Sequence, residues 1–368
     1  MTTIRLVLGD QLNPFHTWYD HVRQDVVYVM MEVRQETDYV LHHAQKIIAI
    51  FAAMRRFAAN LRSDGHRVHY LTIDATDNQA SLTANLDDLI ALYHADRFEY
   101  QAPDEWRLDQ QLRSYGEQLS IACVMIDSDH FYTTREEVRQ HFGGREHWMM
   151  ESFYRAMRRK HGVLMDDKGR PVGGTWNYDH DNRAAWRGIP DEPLDRRPHN
   201  DHSELWQTIQ RSGVASFGEP GAADFRWPID RTEALQQLDR FVEEALPHFG
   251  PFQDAMSSQA SRLFHSLLSF ALNTKMLLPR EVVDRAEAAW RQGNAPLASI
   301  EGFIRQILGW REYVRGVYWA RMPGYDRLNN LDHNADLPAW FWHGRTRMNC
   351  MAQSVGQSLR HAHAPSLA

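Results

Sequence analysis

The first 126 residues alternate short apolar runs with longer stretches of helical spacing, and that alternation constrains the fold more than any other feature of the chain. Five runs read as strands, at residues 4–8, 26–33, 67–73, 98–102 and 121–126. After the second run, Val40, Ile47, Ile48, Phe51, Met54, Phe57, Ala58 and Leu61 recur at helical intervals, and Ser63-Asp64-Gly65 supplies a stop. A further helix is predicted at 86–94. Strands alternating with helices predict an α/β domain built on a doubly wound parallel sheet. Such sheets bind ligands at the carboxyl ends of their strands. The polar residues there are Asp10, Gln11, Glu32, Glu36, Asp104 and Glu105, with Trp106 beside them. Amide and carboxylate groups next to an aromatic face suit a neutral, nitrogen-rich heterocycle and suit a polyphosphate poorly. The same residues also read as ordinary polar loop positions. No G-x-G-x-x-G and no P-loop is present, so a nucleotide fingerprint is absent.

The second half has a different pattern. Helices are predicted at 232–245, 261–275, 279–292, 300–319 and 348–361, and strand signals are scarce. This divides the chain into an α/β domain at 1–130, a connector with short helices at 131–231, and an all-α domain at 232–368. The connector carries a basic run, Arg155, Arg158, Arg159 and Lys160. It reads either as a contact for a phosphate backbone or as a solvated helix face. The formal net charge of −7 excludes a chain that binds nucleic acid by bulk charge and leaves local basic faces open. Two cysteines, Cys123 and Cys350, exclude a disulfide framework and fit a reducing compartment. The N-terminus lacks the apolar core of a signal peptide, and no apolar run reaches spanning length, so a cytoplasmic protein is expected. Most of the 12 tryptophans lie beyond residue 147, which reads as core packing or as redox function.

Several separated segments share one resemblance. They are Leu8-Gly9-Asp10-Gln11-Leu12; Glu36 with Tyr39, Val40, His42, His43 and Lys46; and Ala53, Met54, Arg55 and Phe57. Further along come Gly173-Gly174, Trp176-Asn177-Tyr178-Asp179 and Asn182-Arg183, then Gln253-Asp254-Ala255-Met256 and His265-Ser266-Leu267-Leu268-Ser269. The most specific run is Glu301-Gly302-Phe303-Ile304-Arg305-Gln306-Ile307, followed by Gly309-Trp310-Arg311-Glu312-Tyr313; the last is Met348-Asn349-Cys350-Met351-Ala352. Together they resemble the photolyase/cryptochrome family, in its bacterial iron–sulfur (6-4) branch. The resemblance implies a photolyase-like α/β domain followed by an all-α FAD-binding domain. It implies an antenna chromophore, 6,7-dimethyl-8-ribityllumazine, contacted by Asp10, Gln11 and Glu36, with Trp106 packed against the ring. It implies FAD held by His265, Ser266, Leu267, Leu268, Ser269 and Arg311, the serine segment opening a helix whose N-terminus holds the pyrophosphate. An ordinary serine cap is the simpler reading of that segment. Gln306 and Trp310 would face a flipped-out lesion in UV-damaged DNA, although Trp310 and Tyr313 also fit a core stripe. Trp342 is a candidate electron donor to the flavin, or packing in an aromatic loop.

The resemblance also implies departures. Relatives are longer, and the positions of a lesion-side histidine pair hold Pro365 and Ser366, so the FAD domain is expected to be incomplete at its C-terminus. Cys350 matches one ligand of the family's [4Fe-4S] cluster, and a cluster needs four protein ligands, so none is expected here. The expected activity is light-driven repair of (6-4) photoproducts by electron transfer from reduced FAD in a monomer, with this shortened chain expected to be inactive. A blue-light photoreceptor without repair, or a non-functional fragment, stays open as an alternative.

Overall fold

The computed structural model describes residues 1–363. Five strands form one parallel sheet: β1 (Thr3–Leu6), β2 (Val26–Met31), β3 (Val68–Leu71), β4 (Arg97–Gln101) and β5 (Ala122–Ile126). Their order is β3-β2-β1-β4-β5. The central β1 pairs on both sides, with Ile4 opposite Val27 and Phe98. Every residue of β1 and β2 is buried, as a parallel sheet covered on both faces requires. The period of two sorts the β2 side chains. Val26, Tyr28 and Met30 join Ile47, Phe51, Met54 and Leu61 of helix α1 (Ala44–Ser63) on one face. Val27, Val29 and Met31 join Leu86 and Leu89 of α2 (Leu82–Leu92) and Leu108 and Leu112 of α3 (Trp106–Gln118) on the other. The sheet is the predicted α/β domain, and a helical region follows it.

The helical region contains α4 (Met150–His161), α5 (Ser203–Arg211), α6 (Arg231–Arg240), α7 (Ser269–Asn273), α8 (Pro279–Arg291), α9 (Leu297–Ile304), α10 (Glu312–Arg321) and α11 (Asn349–His361). Its apolar core is continuous with the α1 face of the sheet: Phe303, Ile304 and Leu308 belong to the same cluster as Tyr28 and Phe51. Between α9 and α10 the chain does not break. Arg305–Arg311 continues as a π-helical segment, so one long helix has a wider middle turn. Beyond it Glu312, fully buried, accepts from the backbone N–H groups of Tyr132 and Thr133, both at 3.1 Å, and from the Thr133 hydroxyl at 2.6 Å. That clasp fixes the chain just after β5 against the long helix.

The predicted helix at 261–275 is corrected: only Ser269–Asn273 is helical. Leu263 and Leu267 take left-handed φ values of 45° and 54°, a conformation that a right-handed helix cannot contain. The chain instead folds into a turn that buries Leu263, Phe264, Leu267 and Leu268. Apolar spacing was satisfied there by burial without helical hydrogen bonds. No helix among the described residues is long and apolar enough to cross a membrane.

Candidate chromophore site at the sheet edge

β1 delivers its chain to a tight turn over the carboxyl edge of the sheet. Gly9 lets that turn press onto α1, because a Cβ there would stand 2.9 Å from Ile50 Cγ2 and 3.0 Å from Met54 Sδ. Gln11 locks the turn. Its Oε1 accepts from Leu8 N at 3.1 Å and its Nε2 donates to the Gln101 carbonyl at 3.1 Å. Gln11 is thus buried in the scaffold and does not line the cavity beside it. Asp10, the next residue back, does line it.

That cavity has a volume of about 750 Å³ and lies between the strand ends, α1 and the helical region. Its apolar wall includes Val33, Ile47, Ile50, Met54, Leu108 and Phe131. Glu36 enters from the short helix Arg34–Asp38 after β2. It receives both guanidinium nitrogens of Arg107, at 3.0 and 2.7 Å. Arg107 also binds Glu105 and lies 4.2 Å over the Tyr39 ring. The two acceptors hold this guanidinium above its usual range, the Glu36 hydrogen bond contributing most. His43 caps α1 by accepting from Gln45 N at 3.1 Å. Its neighbour His42 stands 3.3 Å from Lys46 Nζ and 3.2 Å from the Glu36 carbonyl oxygen. Burial lowers the pKa of both His42 and Lys46, and their mutual repulsion lowers that of His42 further.

A buried lysine closes the far side. Lys275 Nζ donates to the Asp10 carbonyl at 2.8 Å, and lies 2.8 Å from Asp104 Oδ2 and 3.3 Å from Asp10 Oδ2. Burial opposes its charge, but the two carboxylates outweigh burial and raise its pKa. For Asp10 burial dominates and the pKa is raised; for Asp104 the cations, Lys275 first, overcome burial and lower it.

Two of the residues assigned to FAD face this same cavity: Ser269 and Arg311. Arg311 Nη2 reaches the Leu272 carbonyl at 3.2 Å and His130 Nε2 at 3.3 Å. Burial lowers its pKa, while its Nη1 is buried without a partner among the described residues. His265, Ser266, Leu267 and Leu268 do not line the cavity. The segment does lead into a helix, with Leu268 as N-cap and Ser269 as first residue of α7, but Ser266 is engaged elsewhere. The Ser266 carbonyl accepts from Gln237 Nε2 at 3.0 Å, and the Ser266 hydroxyl accepts from Leu268 N at 3.4 Å. The five-residue α7 has Leu268 at its N-cap and no side-chain cap. Of the five residues His265–Ser269, Ser269 alone lines the cavity.

The other assigned residues lie apart. Gln306 and Trp310 are exposed on the outer face of the π-helical segment, Trp310 edge-on to Tyr313 at 6.0 Å. Trp342 sits on the four-residue helix Trp340–His343 and is 59% exposed, away from the cavity. Cys350 is exposed on α11 and Cys123 is half-buried on β5. Two thiols on different elements do not fit a four-thiolate cluster. Pro365 and Ser366 lie outside the described residues. Trp106 packs against Trp319 at 6.0 Å and does not line the cavity. Reading by residue type missed Arg107 and Lys275. Their signal is spatial, since each meets a carboxylate residue far away in sequence, Glu36 for Arg107 and Asp10 for Lys275. Tyr39, His42 and Lys46 were visible as a spaced motif without a role.

A family model described as deoxyribodipyrimidine photo-lyase-related protein matches residues 5–227. The chain is 39% identical over 369 residues to the (6-4) photolyase of Agrobacterium fabrum, an alignment covering 99% of this chain and 72% of that protein. An uncharacterized protein of Acanthamoeba polyphaga mimivirus is 30% identical over 112 residues, covering 30% of this chain and 84% of that one. Among solved structures, a bacterial class III photolyase from Agrobacterium tumefaciens superposes with a TM-score of 0.61 at 15% identity, over 100% of this chain and 70% of that one. The fold is photolyase-like, and the chain belongs to the deoxyribodipyrimidine photolyase-related family.

Proposed function

We propose that this protein serves light-driven repair of (6-4) photoproducts in UV-damaged DNA, and that the cavity at the sheet edge seats its antenna chromophore, a ribityl lumazine. The observation that carries the antenna assignment is the cavity itself. Its volume of about 750 Å³ lies within the roughly 300–1,000 Å³ range of small-molecule sites, and its lining is mainly apolar with a few convergent polar groups. Asp10, Glu36, Tyr39, His42 and Lys46 offer both donors and acceptors, which a neutral pteridine-type ring requires and an apolar ligand does not. The Arg107 bridge holds Glu36 in one orientation, so the carboxylate is preorganised toward the cavity.

Family membership implies a flavin, which when bound supplies light-driven electron transfer. Arg311 is this chain's best-placed residue toward it, since it is a buried cation with an unpartnered Nη1. The exposed Trp310 offers an open aromatic face, and bases stack on such faces. Gln306, exposed on the same segment, spends one amide donor on the Gly302 carbonyl at 3.5 Å and turns its side chain to solvent, where it can meet base edges. The support for DNA damage as substrate is the 39% identity to a (6-4) photolyase.

Two measurements test this reading. Titration with ribityl lumazine should give saturable binding, weakened about tenfold by Glu36→Ala, the loss of one good hydrogen bond to a charged acceptor. Unchanged affinity in that variant would remove the antenna assignment. Blue-light illumination of oligonucleotides bearing a (6-4) photoproduct, with FAD and reductant, should restore the bases only in the light. Trp310→Ala should lower lesion affinity by roughly 1–3 kcal/mol through lost stacking. Repair that is absent with flavin bound would refute the repair assignment and favour a photoreceptor.

A further inference from the structure

A second cavity, of about 350 Å³, lies away from the chromophore site. It sits between the loop after β1, helix α1, the segment entering β3 and the start of α6. Leu12, Val22, Ala53, Leu61, Ile229 and Met276 form its apolar walls. Three rings also line it: Tyr19 meets Phe57 edge-on at 5.7 Å and His66 edge-on at 5.9 Å. The Tyr19 hydroxyl and His66 Nδ1 are both buried with no hydrogen-bond partner among the described residues. His66 as a whole is 7% exposed. Stranding two buried polar atoms in one cavity costs free energy, because each gives up its hydrogen bonds to water. A ligand that bonds to both recovers that cost.

We propose that this cavity is a second small-molecule site, which takes a flat, neutral nitrogen heterocycle of nucleobase size. Burial raises the Tyr19 pKa, so the phenol stays protonated and donates to a ring nitrogen or carbonyl of the ligand. His66 Nδ1 takes the complementary role through its choice of tautomer. The aromatic edges and aliphatic walls form a slot for a planar ring. The mouth sets the charge preference. Asp20, Asp64 and Asp230 line it together with Arg56 and Arg231. Arg231 is already bound by Glu281 at 2.6 and 3.0 Å, and Arg56 lies 4.0 Å from Asp230. The free balance is acidic, so a phosphorylated ligand is repelled. The site spans the α/β domain and the first turn of α6, so an occupant also ties the two together.

The test is titration of the intact chain with free adenine and free thymine, followed by ligand-observed NMR and calorimetry. At least one base should bind with a dissociation constant below the order of 1 mM, and adenosine monophosphate at least about tenfold more weakly because of the acidic mouth. Tyr19→Phe, which removes only the donor, should weaken binding about five- to tenfold. Val22→Trp should abolish binding; Val22 is 47% exposed at the mouth, so the variant plugs the entrance without disturbing the core. Glu36→Ala should leave base binding unchanged, which separates this site from the chromophore cavity. Absence of binding by both bases overturns the proposal, as does full binding in Val22→Trp or loss of binding in Glu36→Ala.

Discussion

Replacing Lys275 with methionine isolates the energetics of the junction between the sheet edge and the helical region. The side chain is 1% exposed, and its ammonium makes three contacts: the Asp10 carbonyl at 2.8 Å, Asp104 Oδ2 at 2.8 Å and Asp10 Oδ2 at 3.3 Å. Methionine keeps the length and apolar stem but removes the charge. Removing one member of a buried ion pair costs roughly 3–5 kcal/mol, because the partner charge is left uncompensated. Here Asp10 and Asp104 keep 38% and 22% of their side-chain exposure, and water can solvate part of the stranded charge. The expected loss is therefore about 2–3 kcal/mol at pH 7.

The pH dependence follows from the shifts. Lys275 has a raised folded pKa, so its contribution is fully present below its unfolded value near 10.5 and is lost as pH rises through the folded one. Asp104 has a lowered folded pKa. Its contribution is present above the unfolded value near 3.8 and is lost as pH falls through the folded one. In Lys275→Met, Asp10 loses the ammonium beside it and Asp104 keeps only the more distant Arg315, 3.8 Å away, so protonation then relieves the stranded charge. The deficit relative to the parent should shrink as pH falls from 7 toward 4. Urea denaturation followed by tryptophan fluorescence at both pH values measures it. A deficit under about 1 kcal/mol, or one that stays constant over this range, would refute the argument.

Three further outcomes are expected. Glu312→Ala strands two backbone N–H groups and the Thr133 hydroxyl, and should cost about 2–4 kcal/mol in urea denaturation; a loss below about 1 would mean water replaces the clasp. Gly316→Ala places a methyl inside the Val138 side chain, where α10 crosses the helix Glu137–Phe142, and should destabilise by about 1–3 kcal/mol; a neutral result would show that the two helices part easily. His130 is held at a pKa of about 2, by burial first and by Arg311 second, so the stability it contributes is present above 6.5 and lost as pH falls. His130→Asn should accordingly be less acid-sensitive than the parent between pH 7 and 5, and equal sensitivity would count against a neutral buried imidazole.

The sheet was legible because its signals are local. β1 and β2 are continuous apolar runs, and α1 carries its stripe in plain sight, from Ile47 to Leu61. The helices near 232, 279, 300 and 348 were legible for the same reason, each with a clear apolar period. The segment 261–275 was not, because a buried turn and a helix use the same apolar residues and only φ at Leu263 and Leu267 separates them. At the site, Asp10 and Glu36 stood out as polar residues at strand ends. Gln11 carried the same signal, yet its amide is spent on the scaffold, and no local pattern distinguishes the two uses. Arg107 and Lys275 take their place in the site through partners as far as 71 and 265 residues away.

The π-helical turn between α9 and α10 stores one residue without turning the helix. Its i→i+5 pattern closes on the fifth residue where an α-helix closes on the fourth, so the extra residue of Arg305–Arg311 widens the turn and leaves α10 in phase with α9. Removing one residue here would restore an ordinary helix and still leave Glu312 against Thr133 and Arg315 3.8 Å from Asp104. What would change is the surface of the turn itself, where Gln306 and Trp310 stand exposed. The clasp and the outward face are therefore separable, and a single deletion would be felt at Trp310 before it was felt at the sheet edge.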